Sequence, residues 1–208
     1  MQSVKLYDTT LRDGTQQEGI SLAVSDKLRI AAKLDELGID YIEGGWPGSN
    51  PKDMEFFLKV GSYKFKHSKV AAFGSTRRAH TDVKDDSNIN ALLKSGCDII
   101  TVFGKSWDLH VKDVFKTSFE ENISMIRDTV SYLKSKNKTV FFDAEHFFDG
   151  YHNNAGYAVE TILAAQDAGC DAVILCDTNG GTLTNDLTRI VMEAVSYTHL
   201  TLPTIYSV

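Results

Sequence analysis

Six short runs of almost unbroken apolar residues recur along the chain, near 3–8, 40–45, 69–74, 98–104, 139–144 and 171–177. Runs of that length and continuity predict strands covered on both faces, as in a parallel sheet. Between them the apolar positions fall into helical spacing, predicting helices near 25–37, 52–61, 87–95, 118–136, 155–168 and 183–195. In the first, Leu28, Ala31, Ala32, Leu34 and Leu37 form one stripe; in the longest, Phe119, Ile123, Ile126, Val130 and Leu133 do. Ser25, Asp26 and Ser118 are the expected N-caps, with Glu121 completing a capping box after Ser118. Three junctions share one design: "DELGIDYIEGG" (35–45), "LKSGCDIITVFG" (93–104) and "QDAGCDAVILCDT" (167–178). Each ends a helix on Gly38, Gly96 or Gly169, which suits the left-handed position after a helix. One residue and an Asp then precede the next apolar run.

Strict strand–helix alternation fits either an open doubly wound sheet or a closed (β/α)8 barrel. The polar residues decide between them. "DTTLRDG", "EGGWPGSN", "FGSTRR", "FGKSWDLH", "DAEHFFDG" and "DTNGG" each follow the C-terminal end of a strand. A barrel gathers all such loops at one mouth, whereas an open sheet concentrates them at one switch point. The first strand also lacks the Gly-x-Gly-x-x-Gly turn of a dinucleotide fold. The expectation is an α/β (β/α)8 TIM barrel, incomplete, with about six βα units.

Charge narrows the partners. Lys and Arg number 22 against 28 Asp and Glu, a net charge of −6, which argues against nucleic acid. Cys97, Cys170 and Cys176 are an odd number in expected strands, reading as reduced thiols of a cytoplasmic protein. The first strand begins too close to Met1 for a signal peptide, and no apolar run is long enough to cross a bilayer.

Among the strand-end clusters, Asp13 can ligate a hard divalent cation, or form a surface ion pair with its neighbour. Arg12 keeps its proton and can hold developing negative charge on a substrate oxygen. Glu43, in an otherwise apolar strand, must be paired with a cation or engaged in catalysis. Glu145 could serve as a general base, orient one, or support the fold. Thr178 could donate to a carboxylate or merely cap a turn. Lys105 and His110 read as loop-packing residues, and "GYHNNAG" (150–156) has no metal spacing.

Together "DTTLRDGTQQEG", "YIEGGWPGSNPKD", "FGKSWDLHV", "DAEHFFDGY" and "CDTNGGTL" resemble the citramalate synthase branch of the 2-isopropylmalate/homocitrate synthase family, from about residue 4 to 194. That family is akin to HMG-CoA lyase. The resemblance implies an acyltransferase in which acetyl-CoA condenses with a 2-oxo acid, pyruvate for this branch, for isoleucine and leucine biosynthesis. It implies a divalent metal (Mg, Mn or Zn) on Asp13, charge stabilisation by Arg12, and acidic residues Glu43 and Glu145 at the mouth. Gln16 and Thr178 would contact the substrate, and the complete parent would be a homodimer. Isopropylmalate or homocitrate synthesis, a carbon–carbon lyase and an inactive barrel fragment are the alternatives. The family's two further ligands lie in a His-x-His motif, and no such pair occurs among this chain's six histidines. The final stretch "YTHLTLPTIYSV" has no Lys, Arg, Asp or Glu. Residues 1–195 are therefore expected to be part of a barrel, and 196–208 a non-native or read-through tail.

Overall fold

The computed structural model describes residues 4–198, and the backbone of residues 206 and 207. Seven strands and seven helices are defined among them. The strands are β1 (Leu6–Asp8), β2 (Tyr41–Gly45), β3 (Lys69–Ser75), β4 (Ile99–Lys105), β5 (Thr139–Glu145), β6 (Ala172–Leu175) and β7 (Tyr206–Ser207). The helices are α1 (Val24–Leu37), α2 (Pro51–Val60), α3 (Ser87–Lys94), α4 (Asp108–His110), α5 (Phe119–Ser135), α6 (Phe147–Asp167) and α7 (Thr184–Tyr197). A 3-10 turn (Gly14–Gln16) follows β1, and α4 runs on into a π-helical turn (Val111–Phe115).

The chain divides into two compact units, and the boundary between them falls inside β4, after Thr101. The first holds residues 1–74, 87–101 and 203–208; the second holds 75–86 and 102–202. In the first, β2 pairs in parallel with both β1 and β3, and β7 lies on the other side of β1. In the second, β5 lies between β4 and β6. Apart from β7, the strands within each unit lie beside their sequence neighbours and the order never reverses. No doubly wound switch point arises, so the barrel-type winding expected from the loops is the one present.

The repeated Gly-x-Asp junction has a mechanical basis. Gly38, Gly96 and Gly169 all adopt the left-handed conformation. The Asp then anchors the preceding strand: Leu6 N–H donates to Asp40 at 2.9 Å, and Val140 N–H to Asp171 at 2.7 Å. The starts of β1 and β5 are thus fixed by the carboxylate of the next unit of the repeat.

The observed elements correct several expectations. α1 is capped at Ala23, not at Ser25 or Asp26; Asp26 instead accepts the Ala23 N–H at 3.1 Å. Ser118 does cap α5, accepting from Glu121 N–H at 3.1 Å, but Glu121 gives its carboxylate to Arg77 and to His80 N–H rather than completing a box. On α1, Leu37 is exposed while Lys27 and Asp35 face inward beside Leu28 and Ala31. α6 starts at Phe147, well before residue 155, and carries a break at Asn154. β6 is shorter than expected, and α4 with its π turn was not foreseen. Most of the 196–208 tail lies outside the described residues. No helix among the described residues is long and apolar enough to cross a membrane.

Candidate active site

The loop after β1 is built from its own backbone. Asp8, the last residue of the strand, accepts from Thr10 N–H and Thr10 Oγ1, both at 3.0 Å. This Asx-type turn sets up Thr9, whose carbonyl accepts N–H groups from Arg12, Asp13 and Gly14 at 3.1, 2.8 and 3.3 Å. Leu11 is fully buried and pins the loop to the core. Thr15 Oγ1 closes it on Arg12 O at 2.8 Å. Arg12 is thereby presented from a fixed turn.

β2 supplies its partner. The register with β3 slips between Glu43 and Gly45, a β-bulge at the double glycine. Gly44 has no room for a side chain, since a Cβ there would come within 2.5 Å of Phe56. Glu43 is completely buried. Arg12 Nε donates to its Oε1 at 2.5 Å, and the Tyr7 hydroxyl donates to Oε2 at 2.6 Å. Burial pushes the Glu43 carboxyl above its ordinary value, against the opposing pull of Arg12 and Tyr7. The Arg12 guanidinium also lies 4.0 Å from the centre of the Phe73 ring. Asp13 takes Arg12 Nη1 at 3.0 Å and leaves 61% of its side chain exposed.

Beside Arg12 opens a cleft of about 430 Å³ walled also by Gln16, Lys27, Trp46, Asn50, Lys52 and Asp53. Lys27 is buried and paired with Asp53 at 2.7 Å; Asp53 also accepts the Trp46 N–H at 2.9 Å. Gln16 is exposed on this cleft.

The second unit has its own polar group at the strand ends. Glu145, last in β5, is ion-paired with Lys105, last in β4. The next residue, His146, sits in the left-handed region at φ 54° and donates its N–H to Thr178 Oγ1 at 2.9 Å. Its Nδ1 lies 3.0 Å from Asp149, which also accepts Asn179 Nδ2 at 3.0 Å. His110 stacks edge-on to His146, 4.4 Å between ring centres, and 4.8 Å from Trp107. Burial, with help from His146 and Lys105, lowers the His110 pKa. His110 Nδ1 and Trp107 Nε1 are buried with no hydrogen-bond partner among the described residues.

Of the residues expected from sequence, Arg12, Asp13, Glu43 and Gln16 thus gather in the first unit, and Glu145 and Thr178 meet at His146 in the second. Glu43 and Glu145 are each paired with a cation. Lys105 and His110, set aside as packing residues, belong to the second group; Tyr7 went unnoticed because a tyrosine in an apolar run reads as core.

A divalent cation does not fit the residues present. Both Glu43 oxygens are engaged, both Asp8 oxygens serve Thr10, and Asp13 offers one exposed carboxylate. Among the described residues no three His, Cys, Asp or Glu side chains group as ligands.

Comparison with known proteins gives the chain's family and fold likeness. The family model described as HMGL-like matches residues 3–204. An (R)-citramalate synthase of Geobacter sulfurreducens is 55% identical over 203 residues, 98% of this chain and 38% of that protein. The (R)-citramalate synthase of Aquifex aeolicus is 54% identical over 92% of this chain and 36% of its own length. A 2-isopropylmalate synthase of Listeria monocytogenes matches at 32%. In fold, the HMG-CoA lyase of Bacillus subtilis superimposes with a TM-score of 0.76 at 17% identity, covering 94% of this chain and 65% of that one. The chain spans little more than a third of the length of the synthases it matches.

Proposed function

The chain belongs to the HMGL-like family, and from that premise we propose that it is part of a citramalate-type synthase, its strands and helices forming part of a TIM barrel. In the complete protein the methyl group of acetyl-CoA loses a proton, the resulting enolate attacks the carbonyl of pyruvate, and hydrolysis of the thioester releases CoA and citramalate. The observation that carries this reading is the Arg12 guanidinium, held by a buried carboxylate at the rim of a ligand-sized cleft.

Each group has a part. Arg12 faces the negative charge that develops on the attacked oxygen, a task for a cation that cannot lose its proton. Glu145, poised by Lys105, takes or steers the methyl proton. Gln16, exposed on the cleft, contacts the oxo acid; Thr178, beside His146 in the second unit, is a hydroxyl that can donate to a carboxylate. The cleft, with the exposed Lys52 in its wall, suits an elongated, anionic thioester such as acetyl-CoA. Asp13 is one oxygen donor toward a divalent metal; the residues of this chain do not complete its ligand set, and no step is routed through it. No disulfide joins the three cysteines among the described residues, which supports a reducing, cytoplasmic setting, and the complete protein is proposed to be a homodimer.

The test is thiol release from acetyl-CoA by the complete protein, followed with a thiol reagent. CoA is expected only when a 2-oxo acid is added, fastest with pyruvate. Arg12→Lys, which loses the planar fork, should lower kcat about a hundredfold, the usual cost of one oxyanion-stabilising donor. CoA release indifferent to every 2-oxo acid would refute the synthase reading, and cleavage of a branched acyl-CoA instead would establish a lyase.

A further inference from the structure

We infer that Tyr7 and Thr101 are positioning residues for Arg12, acting through Glu43. The inference deepens the proposed function and rests on it wherever turnover is concerned.

Tyr7 lies in β1, Glu43 in β2 and Thr101 in β4, and all three are buried. Glu43 has two oxygens, and each has a dedicated donor: Arg12 Nε at 2.5 Å on Oε1 and the Tyr7 hydroxyl at 2.6 Å on Oε2. A phenol has one hydrogen. Tyr7 spends it on the carboxylate, so the contact between Tyr7 OH and Thr101 Oγ1 at 2.7 Å must have the threonine as donor. The donors therefore run in one direction, Thr101 to Tyr7 to Glu43, with Arg12 arriving from the other side. One hydrogen bond would leave the carboxylate free to turn about its last carbon–carbon bond. Two, on opposite oxygens, fix its plane, and that plane fixes the guanidinium, which is also held over Phe73. A phenylalanine would fill the same apolar space in β1. The hydroxyl is accounted for by the carboxylate, and the carboxylate by Arg12. Neither Tyr7 nor Thr101 needs to touch substrate.

The experiment uses the complete protein. Tyr7→Phe should lower kcat for CoA release about tenfold, the scale of one lost hydrogen bond to a charged group, and leave KM for pyruvate nearly unchanged. Thr101→Val should lower kcat less, and Thr101→Ser, which keeps the hydroxyl, should restore it. In Tyr7→Phe/Thr101→Val the second change should add nothing, because the threonine acts only through the phenol. An unchanged kcat in folded Tyr7→Phe, or additive losses in the double variant, would overturn the inference. Should Tyr7→Phe not fold, the Val and Ser variants of Thr101 decide alone.

A second readout needs no turnover. In the 208-residue chain, the Arg12 Nε–H NMR signal, assigned by its loss in Arg12→Lys, should be protected from solvent exchange and exchange at least about tenfold faster in Tyr7→Phe. Equal exchange in both proteins would refute the positioning role. If the complete wild-type protein releases no CoA with any 2-oxo acid, the synthase reading fails, and this exchange measurement judges the positioning role by itself.

Discussion

A carboxylate removed from water persists only when something replaces its hydration, and Asp35 and Glu43 meet that demand differently. Glu43 uses a guanidinium and a phenol. Asp35, on the buried face of α1, uses backbone alone: Lys66, His67 and Ser68 N–H groups donate to it at 2.9, 2.8 and 2.8 Å. Burial acts to raise its pKa, but the three amides outweigh burial and bring it down to about 2. The sign follows directly. An unfolded Asp titrates near about 4, so the folded state prefers the ionised form. That preference stabilises the protein fully above the unfolded value and is lost as the pH falls toward about 2. Asp35→Asn should therefore lower the urea midpoint at pH 7, and the gap to wild type should narrow by pH 3. A gap that stays constant across that range would mean that the charge of Asp35 is not what holds the segment before β3.

Among the elements, α6 departs furthest from its sequence pattern. Its first turns contain Gly150, Asn153 and Asn154, all poor helix formers, so only the apolar period after residue 155 predicts a helix. Tertiary contact supplies the rest. Phe147 and Phe148 are buried, and Asn153 donates to Asp108 at 2.7 Å. At Asn154 the backbone leaves helical geometry, and its side chain accepts from Tyr157 N–H at 3.2 Å, capping the second half. Gly150 permits the approach: a Cβ there would stand 2.2 Å from Ser106 O and 3.0 Å from Trp107 Cα. Gly150→Ala should thus cost about 3 kcal/mol or more, at or beyond the upper end for overpacking because backbone must yield. Gly181→Ala, where a Cβ meets nothing within 4 Å, should stay within about 0.5 kcal/mol, as open surface changes do. Urea melts of both variants check the pair; equal effects would refute the packing argument. The strands, by contrast, were legible as continuous apolar runs, and β2, β4 and β6 also carry their own punctuation, a glycine after the helix and an aspartate before the run. The π turn after α4 was not, since 108–117 shows neither period.

At the scale of the molecule, the site was legible in its residue types and opaque in its pairings. Arg12, Asp13 and Glu43 stand out as charges at the ends of apolar strands. That Glu43 would hold Arg12 depends on β1 and β2 being parallel neighbours, with Asp8 opposite Ile42, which no local pattern encodes. The deficit in metal ligands was legible throughout, because composition and spacing are properties of the sequence itself: six histidines, none two residues from another. Among the described residues the fold does not repair that deficit by bringing distant acids together, and the Glu43 and Asp8 carboxylates are already satisfied by Arg12, Tyr7 and Thr10. A single exposed carboxylate already paired with Arg12 binds Mg or Mn weakly, since such cations need several oxygen donors to offset dehydration. The 208-residue chain, dialysed against metal-free buffer and analysed by inductively coupled plasma spectrometry, should hence retain well under one equivalent of any divalent metal. Asp13→Asn should leave that small amount unchanged in this chain, yet abolish tight metal in the complete protein if Asp13 is a ligand there. One tightly held equivalent in the 208-residue chain would mean that its side chains rearrange into a ligand set of their own, and the assignment of Asp13 as an isolated donor would fall.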